Sequence, residues 1–391
     1  MNSNLFLLAL CQGLFLTNNV TFIAINGLVG LSLAPVGWMA TLPVMGYVVG
    51  GALSTGLVAK SQAKWGHSVS FQLGLLVGLL SAILCAYAAH THNFELLVMA
   101  TLVAGYYSAN GQLYRFAAAE LAEASFQEKA VSWVMAGGLI GAILGPNLAS
   151  QSKGWFETPF MGAYVALTAV AVLGMVVMHF VKFPPLVEKV SGSSEGRPLR
   201  EIMKQPVFIV AAAAAALSYG VMHLLMAATP LAMQVCGFQF SDTALVLEWH
   251  VIGMFAPGFF TGHLIKKFGV LQIMAVGVLL NFVCVGIALS GTDLHQFVLA
   301  LFVLGVGWNF VFTGSTTLAM TAWRPEEKDR GQAAINFWVF ATMAITSFAS
   351  GALVTTQGWT WLNYGSVVPV ALTGIALMWL VWVRKNQKTV A

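Results

Sequence analysis

Four side chains between Leu217 and Gly269 have types and spacings suited to holding a soft metal ion. Met222 and Met226 form a Met-x-x-x-Met, and His250 and Met254 form a His-x-x-x-Met. Residues four apart in an α-helix lie on one face, one turn apart, so each pair presents two donors side by side. Thioether and imidazole without a carboxylate is a donor set that suits copper, Cu(I) in particular. Methionine also serves as ordinary packing in apolar helices. What sets these pairs apart is their placement on consecutive apolar stretches, joined by a short polar connection near Cys236 to Asp242. Such a connection predicts two antiparallel neighbours.

Counting from that connection gives depth. At 1.5 Å per residue the four donors lie roughly 12–20 Å from the surface, inside a hydrocarbon core about 30 Å thick. Met226 falls level with His250, and Met222 with Met254. His223, close to Met226 on the helix wheel, and Cys236, at the outer end of the first stretch, are auxiliary metal candidates. Ser218, Tyr219 and Thr229 share the face of Met222 and predict a polar stripe lining a cavity. Asn18, Asn19 and Asn26 are expected to line the same cavity from the first helix. Glu248 is a carboxylate deep in a predicted span, and intramembrane acids are functional by default; it is the candidate for a coupling proton. Arg115 with Glu120 and Glu123 is expected to form a charge cluster at the cytoplasmic end of the fourth helix.

The elements that must position these groups follow from composition. The 391 residues are 58% hydrophobic and 8% charged, which excludes a soluble domain and indicates a polytopic membrane protein. Apolar runs of helix length fall near 5–30, 36–59, 68–90, 96–116, 131–150, 160–181, 207–234, 241–265, 270–290, 296–320, 332–356 and 362–383. The predicted fold is therefore all-α, with twelve transmembrane helices. The N-terminal MNSNLFLLAL lacks a basic n-region and reads as part of the first helix. The polar stretch Lys182 to Gln205, with SGSSEGRP inside it, divides the chain into a first bundle at 1–182, a linker at 183–206 and a second bundle at 207–391. Four cysteines far apart, with no Cys-x-x-Cys, argue against a zinc ribbon or disulfide framework. No His-Glu-x-x-His, Gly-x-Ser-x-Gly, P-loop or dinucleotide fingerprint occurs, so an enzyme is not expected. The net charge of +4 reports orientation, not nucleic-acid binding. Lys60, Lys64, Lys129, the linker cations, Lys266, Lys267, Arg324, Lys328, Arg330 and the C-terminal cations fall on one side, and Lys153 on the other. The positive-inside rule then makes the linker and both termini cytoplasmic.

The halves repeat. Thr55-Gly56-x-x-x-Lys60 followed by Trp65-Gly66 matches Thr261-Gly262-x-x-x-Lys266 followed by Phe268-Gly269. The fifth helix carries Gly137, Gly141 and Gly145 and then Pro146. Glycines four apart make a flat face for close helix contact. On these features the whole chain resembles the major facilitator superfamily, which implies two six-helix repeats with a substrate site between them. The Gly-rich fifth helix is similar to that of the drug–proton antiporters of that superfamily. Lys60 where their loop usually has Asp, and Thr101 where their fourth helix usually has a basic residue, depart from their pattern.

Within the superfamily, the Leu217–Gly269 region resembles the CcoA-type bacterial copper importers. That resemblance implies Met222, Met226, His250 and Met254 as ligands, and copper as the transported substrate with no resident cofactor. It further implies an inner-membrane multi-pass carrier serving cytochrome oxidase assembly by alternating access, surrounded by lipid and delivering to a cytoplasmic copper acceptor. A related branch, similar over the same helices, includes riboflavin importers, so a small aromatic substrate is the alternative; drug–proton antiport is a further one. The orientation is directly testable. With Cys236 replaced by serine, a cysteine introduced at Ser193 is expected to resist an impermeant thiol reagent added from outside, and ready labelling would overturn the topology.

Overall fold

The computed structural model describes residues 3–123, 127–184, 196–324 and 327–390. Most of the SGSSEGRP linker, including Ser193, lies outside them. In chain order the helices are α1 (Ser3–Leu33), α2 (Leu42–His90), α3 (Phe94–Gly111), α4 (Tyr114–Glu120), α5 (Gln127–Ala136), α6 (Gly138–Ser152), α7 (Met161–His179) and α8 (Leu199–Met203). They continue with α9 (Pro206–Val235), α10 (Phe240–Phe255), α11 (Gly258–Phe268), α12 (Val270–Ser290), α13 (Leu294–Ala319), α14 (Lys328–Thr356) and α15 (Gly358–Val390). Among the described residues, nine helical stretches are long and apolar enough to cross a membrane, and ten when α10 and α11, bent by 41°, count as one span. One of the nine runs from Gly37 to His90 and is two spans in one, because α2 breaks at Gly66. The 18-residue α3, continued by α4, supplies the remaining span. The architecture is the twelve-helix, two-repeat arrangement expected. Large apolar side chains such as Leu53, Ile345 and Met378 point outward, as a lipid-facing surface requires.

Local chemistry explains where the rods begin, end and bend. The two Gly steps of the repeat are both glycines at positive φ: 78° at Gly66 and 96° at Gly269. Only glycine takes that conformation without strain, so each half turns sharply at the same place. The repeat extends to two helix starts. Asn93 caps α3 by accepting from Leu96 N at 2.9 Å, and Asp293 caps α13 in a capping box with Gln296. Pro257 separates α10 from α11. At that break the carbonyl of Met254 accepts a bond from Asn309 Nδ2 at 2.7 Å, and Asn309 Oδ1 accepts from Thr261 at 2.7 Å. A broken helix at membrane depth must have its freed groups satisfied, and α13 does this for α10–α11.

The Gly face of the fifth span packs against α1. A Cβ on Gly137 would collide with the carbonyl of Ala9, and one on Gly141 would lie 2.7 Å from the backbone of Leu16 and Thr17. Gly145 is looser, with Thr17 O at 3.1 Å, and its own carbonyl accepts from Thr21 Oγ1 at 2.8 Å beside Pro146. In the same way Gly50 and Gly105 bring α2 and α3 into backbone contact.

Contacts between the halves concentrate at the end away from the linker. Trp38 meets Phe348 edge-on at 5.8 Å, and Thr41 Oγ1 accepts from Gly351 N at 3.1 Å. Asn147, one residue past Pro146, donates to Glu248 Oε2 at 2.9 Å, and Phe160 packs edge-on against Phe240 at 5.0 Å. Gly27 of α1 lies against Ala227 and Leu231 of α9. At the other end, the described part of the linker is strapped to the second half. Arg197 holds Glu327 through Nε at 2.9 Å and a terminal nitrogen at 2.7 Å. That guanidinium, with the backbone N–H of Arg324, keeps the Glu327 carboxyl well below the usual carboxylate range.

Two outcomes follow. Gly141→Ala is expected to cost about 1–3 kcal/mol by overpacking, and Gly145→Ala less, read as the order of melting temperatures of the purified protein; equal melting temperatures would contradict the α1–α6 contact. Glu248→Ala removes one bond from the closed end, about 1 kcal/mol. It is expected to shift the population several-fold towards opening there, read as faster labelling of a cysteine placed at Thr41, with Glu248→Gln close to the parent.

Candidate functional site

Between the halves lies a cavity of about 430 Å³. Its roof is formed by Val20 and Ile23 of α1 with Met226 of α9, just below the Gly27–Ala227 contact. From there it runs towards the linker end, past Tyr219, Met222, Met254 and Trp308, to Arg115, Phe259 and Thr317. It is therefore closed at the end where the halves touch and extends towards the linker end.

The wall is aromatic on the second-half side. Trp308 and Phe312 are stacked, with centroids 5.0 Å apart and planes 11° apart, and Tyr219 meets both edge-on at 5.2 Å. Phe255 closes on Trp308 at 6.4 Å. One turn of α13 separates Trp308 from Phe312, so both rings fall on one helix face. The first half contributes polar groups: Gln12, Asn19, Ser108, Gln112 and Arg115. Asn19 Nδ2 donates to Tyr47 Oη at 3.2 Å, fixing both at the wall. An aromatic cluster with polar groups around it is suited to a planar, partly polar organic molecule held by stacking and edge hydrogen bonds.

The groups expected from the sequence divide into two sets. Met222, Met226, Met254 and the auxiliary His223 all line this cavity, as do Tyr219 and Asn19. His250 does not. It is fully buried, and its Nδ1 bonds the carbonyl of Leu301 on α13 at 2.7 Å, turning the ring into the second half. The four expected ligands are thus not brought together, and among the described residues no three of His, Cys, Asp and Glu cluster as a metal site. Four further cavity expectations are corrected. Asn18 reaches Tyr107 Oη at 3.3 Å inside the first half. Thr229 lies above the roof, its hydroxyl donating back to Leu225 O at 2.7 Å, and Ser218 is buried away from the lining. Asn26 likewise accepts from Tyr164 Oη at 2.6 Å in the first-half core. Cys236 is exposed at the end away from the linker.

The expected charge cluster on α4 also separates. Glu120 pairs with His67 Nε2 at 2.8 Å, whereas Arg115 lies over the Phe116 ring at 4.8 Å and lines the cavity. Sequence reading missed Arg115, Trp308, Phe312 and Gln12 as cavity residues. A signal was present for the polar ones, since a polar side chain inside a span usually faces the bundle interior.

Comparison with known proteins agrees with this architecture. The family profile for the Major Facilitator Superfamily matches residues 5–341 and, in a second match, 249–390. The riboflavin transporter RfnT of Brucella anthropi is 36% identical over 377 residues, covering 96% of this chain and 95% of that protein. The uncharacterised MFS-type transporter YddS of Bacillus subtilis is 25% identical, covering 87% of this chain and 82% of that one. Among solved structures, the nucleoside transporter NupG superposes with a TM-score of 0.73 at 13% identity, over 96% of this chain and 99% of that chain. A bacterial homolog of the human lysosomal transporter Spinster, in an inward-facing and unoccupied conformation, gives 0.72 at 12%, over 96% of each. The chain is a membrane transporter, not an enzyme, and belongs to the Major Facilitator Superfamily.

Proposed function

We propose that the chain takes up riboflavin, or a close planar relative, by alternating access across a cell's inner membrane, with the linker and both termini in the cytoplasm. The observation that carries this reading is the cavity wall of Tyr219, Trp308 and Phe312 facing the amides of Gln12, Asn19 and Gln112. A tricyclic ring stacks on the first set and offers its heteroatom edge to the second. The 36% identical riboflavin transporter RfnT supports the same substrate class. On this reading Met222, Met226 and Met254 are a flexible apolar floor that adapts to the ring.

Copper import is the second reading, and one observation favours it. Three thioethers and the imidazole of His223 line one cavity. Its weakness is that His250, the ligand expected beside Met254, is committed to Leu301. Glu248, bonded to Asn147, is the group we propose for proton coupling.

The two readings predict opposite mutational patterns. Trp308→Ala is expected to lower riboflavin uptake at least tenfold, because it removes a stacked indole worth roughly 3 kcal/mol or more. Met222→Ala and Met254→Ala are expected to cost several-fold each, by roughly 1–2 kcal/mol of packing. Copper accumulation is expected to be unchanged in all three. The measurement is uptake of labelled riboflavin and labelled copper in cells lacking their own carriers. Copper accumulation abolished by the methionine variants, with riboflavin uptake absent in the parent, would reverse the order of the readings.

A further inference from the structure

Four polar atoms on residues lining the cavity are buried and have no hydrogen-bond partner: Arg115 Nε, Trp308 Nε1, His223 Nε2 and Gln12 Oε1. Buried polar atoms are nearly always paired, so unpaired ones on residues of one cavity wall leave hydrogen-bonding capacity that a ligand takes up where a small side-chain rotation presents them. Their chemistry is lopsided. Arginine and indole N–H are donors only, the glutamine oxygen is an acceptor only, and the imidazole nitrogen can be either. The complementary ligand is therefore rich in acceptors and carries at least one N–H or O–H.

Charge narrows the class further. Among the described residues, Arg115 is the one charged side chain lining the cavity, and no described carboxylate shares it. Its guanidinium is backed by the Phe116 ring at 4.8 Å, which fixes one face and leaves the planar edge for hydrogen bonds. Arg115 and Tyr219 line the same cavity, so the cation and the aromatic wall act on the same ligand. A cation in a cavity walled largely by apolar and aromatic side chains attracts anions and carbonyl oxygens and repels cations more strongly than it would in bulk water. The planar fork of arginine matches two acceptors held side by side, which a lysine ammonium does not.

We infer that Arg115 is the specificity residue of the cavity, admitting planar heteroaromatics that are neutral or anionic and carry paired carbonyl or imide acceptors, and rejecting planar cations. In the case of riboflavin this rests on the reading above: the dione edge of the flavin supplies the acceptors and its imide N–H the donor for Gln12. The same positive charge works against a copper ion in this space.

The test uses the full-length protein in lipid nanodiscs and three fluorescent probes. These are riboflavin, resorufin as a three-ring planar anion, and proflavine as a three-ring planar cation. The parent is expected to bind riboflavin and resorufin at least tenfold more tightly than proflavine. Arg115→Gln is expected to lose tenfold or more of the resorufin affinity and to gain proflavine binding. Arg115→Lys is expected to keep resorufin but lose several-fold on riboflavin, because charge is retained and the fork is not. Equal binding of resorufin and proflavine by the parent would overturn the inference, and so would an unchanged preference in Arg115→Gln. Should Arg115→Gln fail to fold, the parent's dye preference and Arg115→Lys still decide the matter. If the parent splits the dyes but ignores riboflavin, the flavin reading falls and the selector role of Arg115 stands. If it binds riboflavin without splitting the dyes, the reverse holds.

Discussion

Helices inside a bilayer gain little by hiding apolar surface from apolar lipid, so they are held together by close contact and by polar ties. That constraint shapes this chain. Glycine faces let α6 lie against α1, and α3 against α2, at backbone distance. Polar ties do the rest: Tyr164 to Asn26, Asn18 to Tyr107, and Asn309 to Met254 and Thr261. Because α1 is clamped along its Gly-facing side, its other side is free to present Gln12 and Asn19 to the cavity. Packing thus decides which polar groups of α1 serve structure and which remain for a ligand.

The same ties organise the second half. Asn309 takes the carbonyl left at the α10–α11 break, and this fixes the turn that carries Met254 into the cavity wall. His250, one turn earlier, is drawn to the Leu301 carbonyl of the neighbouring helix. The closed end, sealed by Trp38, Thr41, Asn147 and Phe160 against the second half, sets the roof over Met226. One set of contacts therefore fixes both the depth of the cavity and the side towards which it extends.

Much of this was legible before any coordinates. Apolar run lengths give the spans, and the paired Gly66 and Gly269 steps give the repeat, because positive φ demands glycine in both halves. The common placement of Met222, Met226 and Met254 follows from helical spacing and depth. What was not legible is which neighbour a helix face meets. His250 and Met254 lie on nearly the same side of α10, yet the long thioether bends into the cavity while the stiff imidazole is captured by a backbone carbonyl. Thr229 shares the face of Met222 but lies above the roof, and no wheel shows where a roof falls. Arg115 read as part of a surface cluster because sequence distance to Glu120 is short; in three dimensions Glu120 belongs to His67.

The four native thiols have a consequence of their own. Cys11, Cys85 and Cys284 are sealed in helix contacts, whereas Cys236 stands exposed at the end opposite the linker. Chemistry confined to one aqueous compartment therefore meets a single thiol on the untouched protein. The molecule carries a built-in vectorial marker, one that reports its insertion in a vesicle before any residue has been altered.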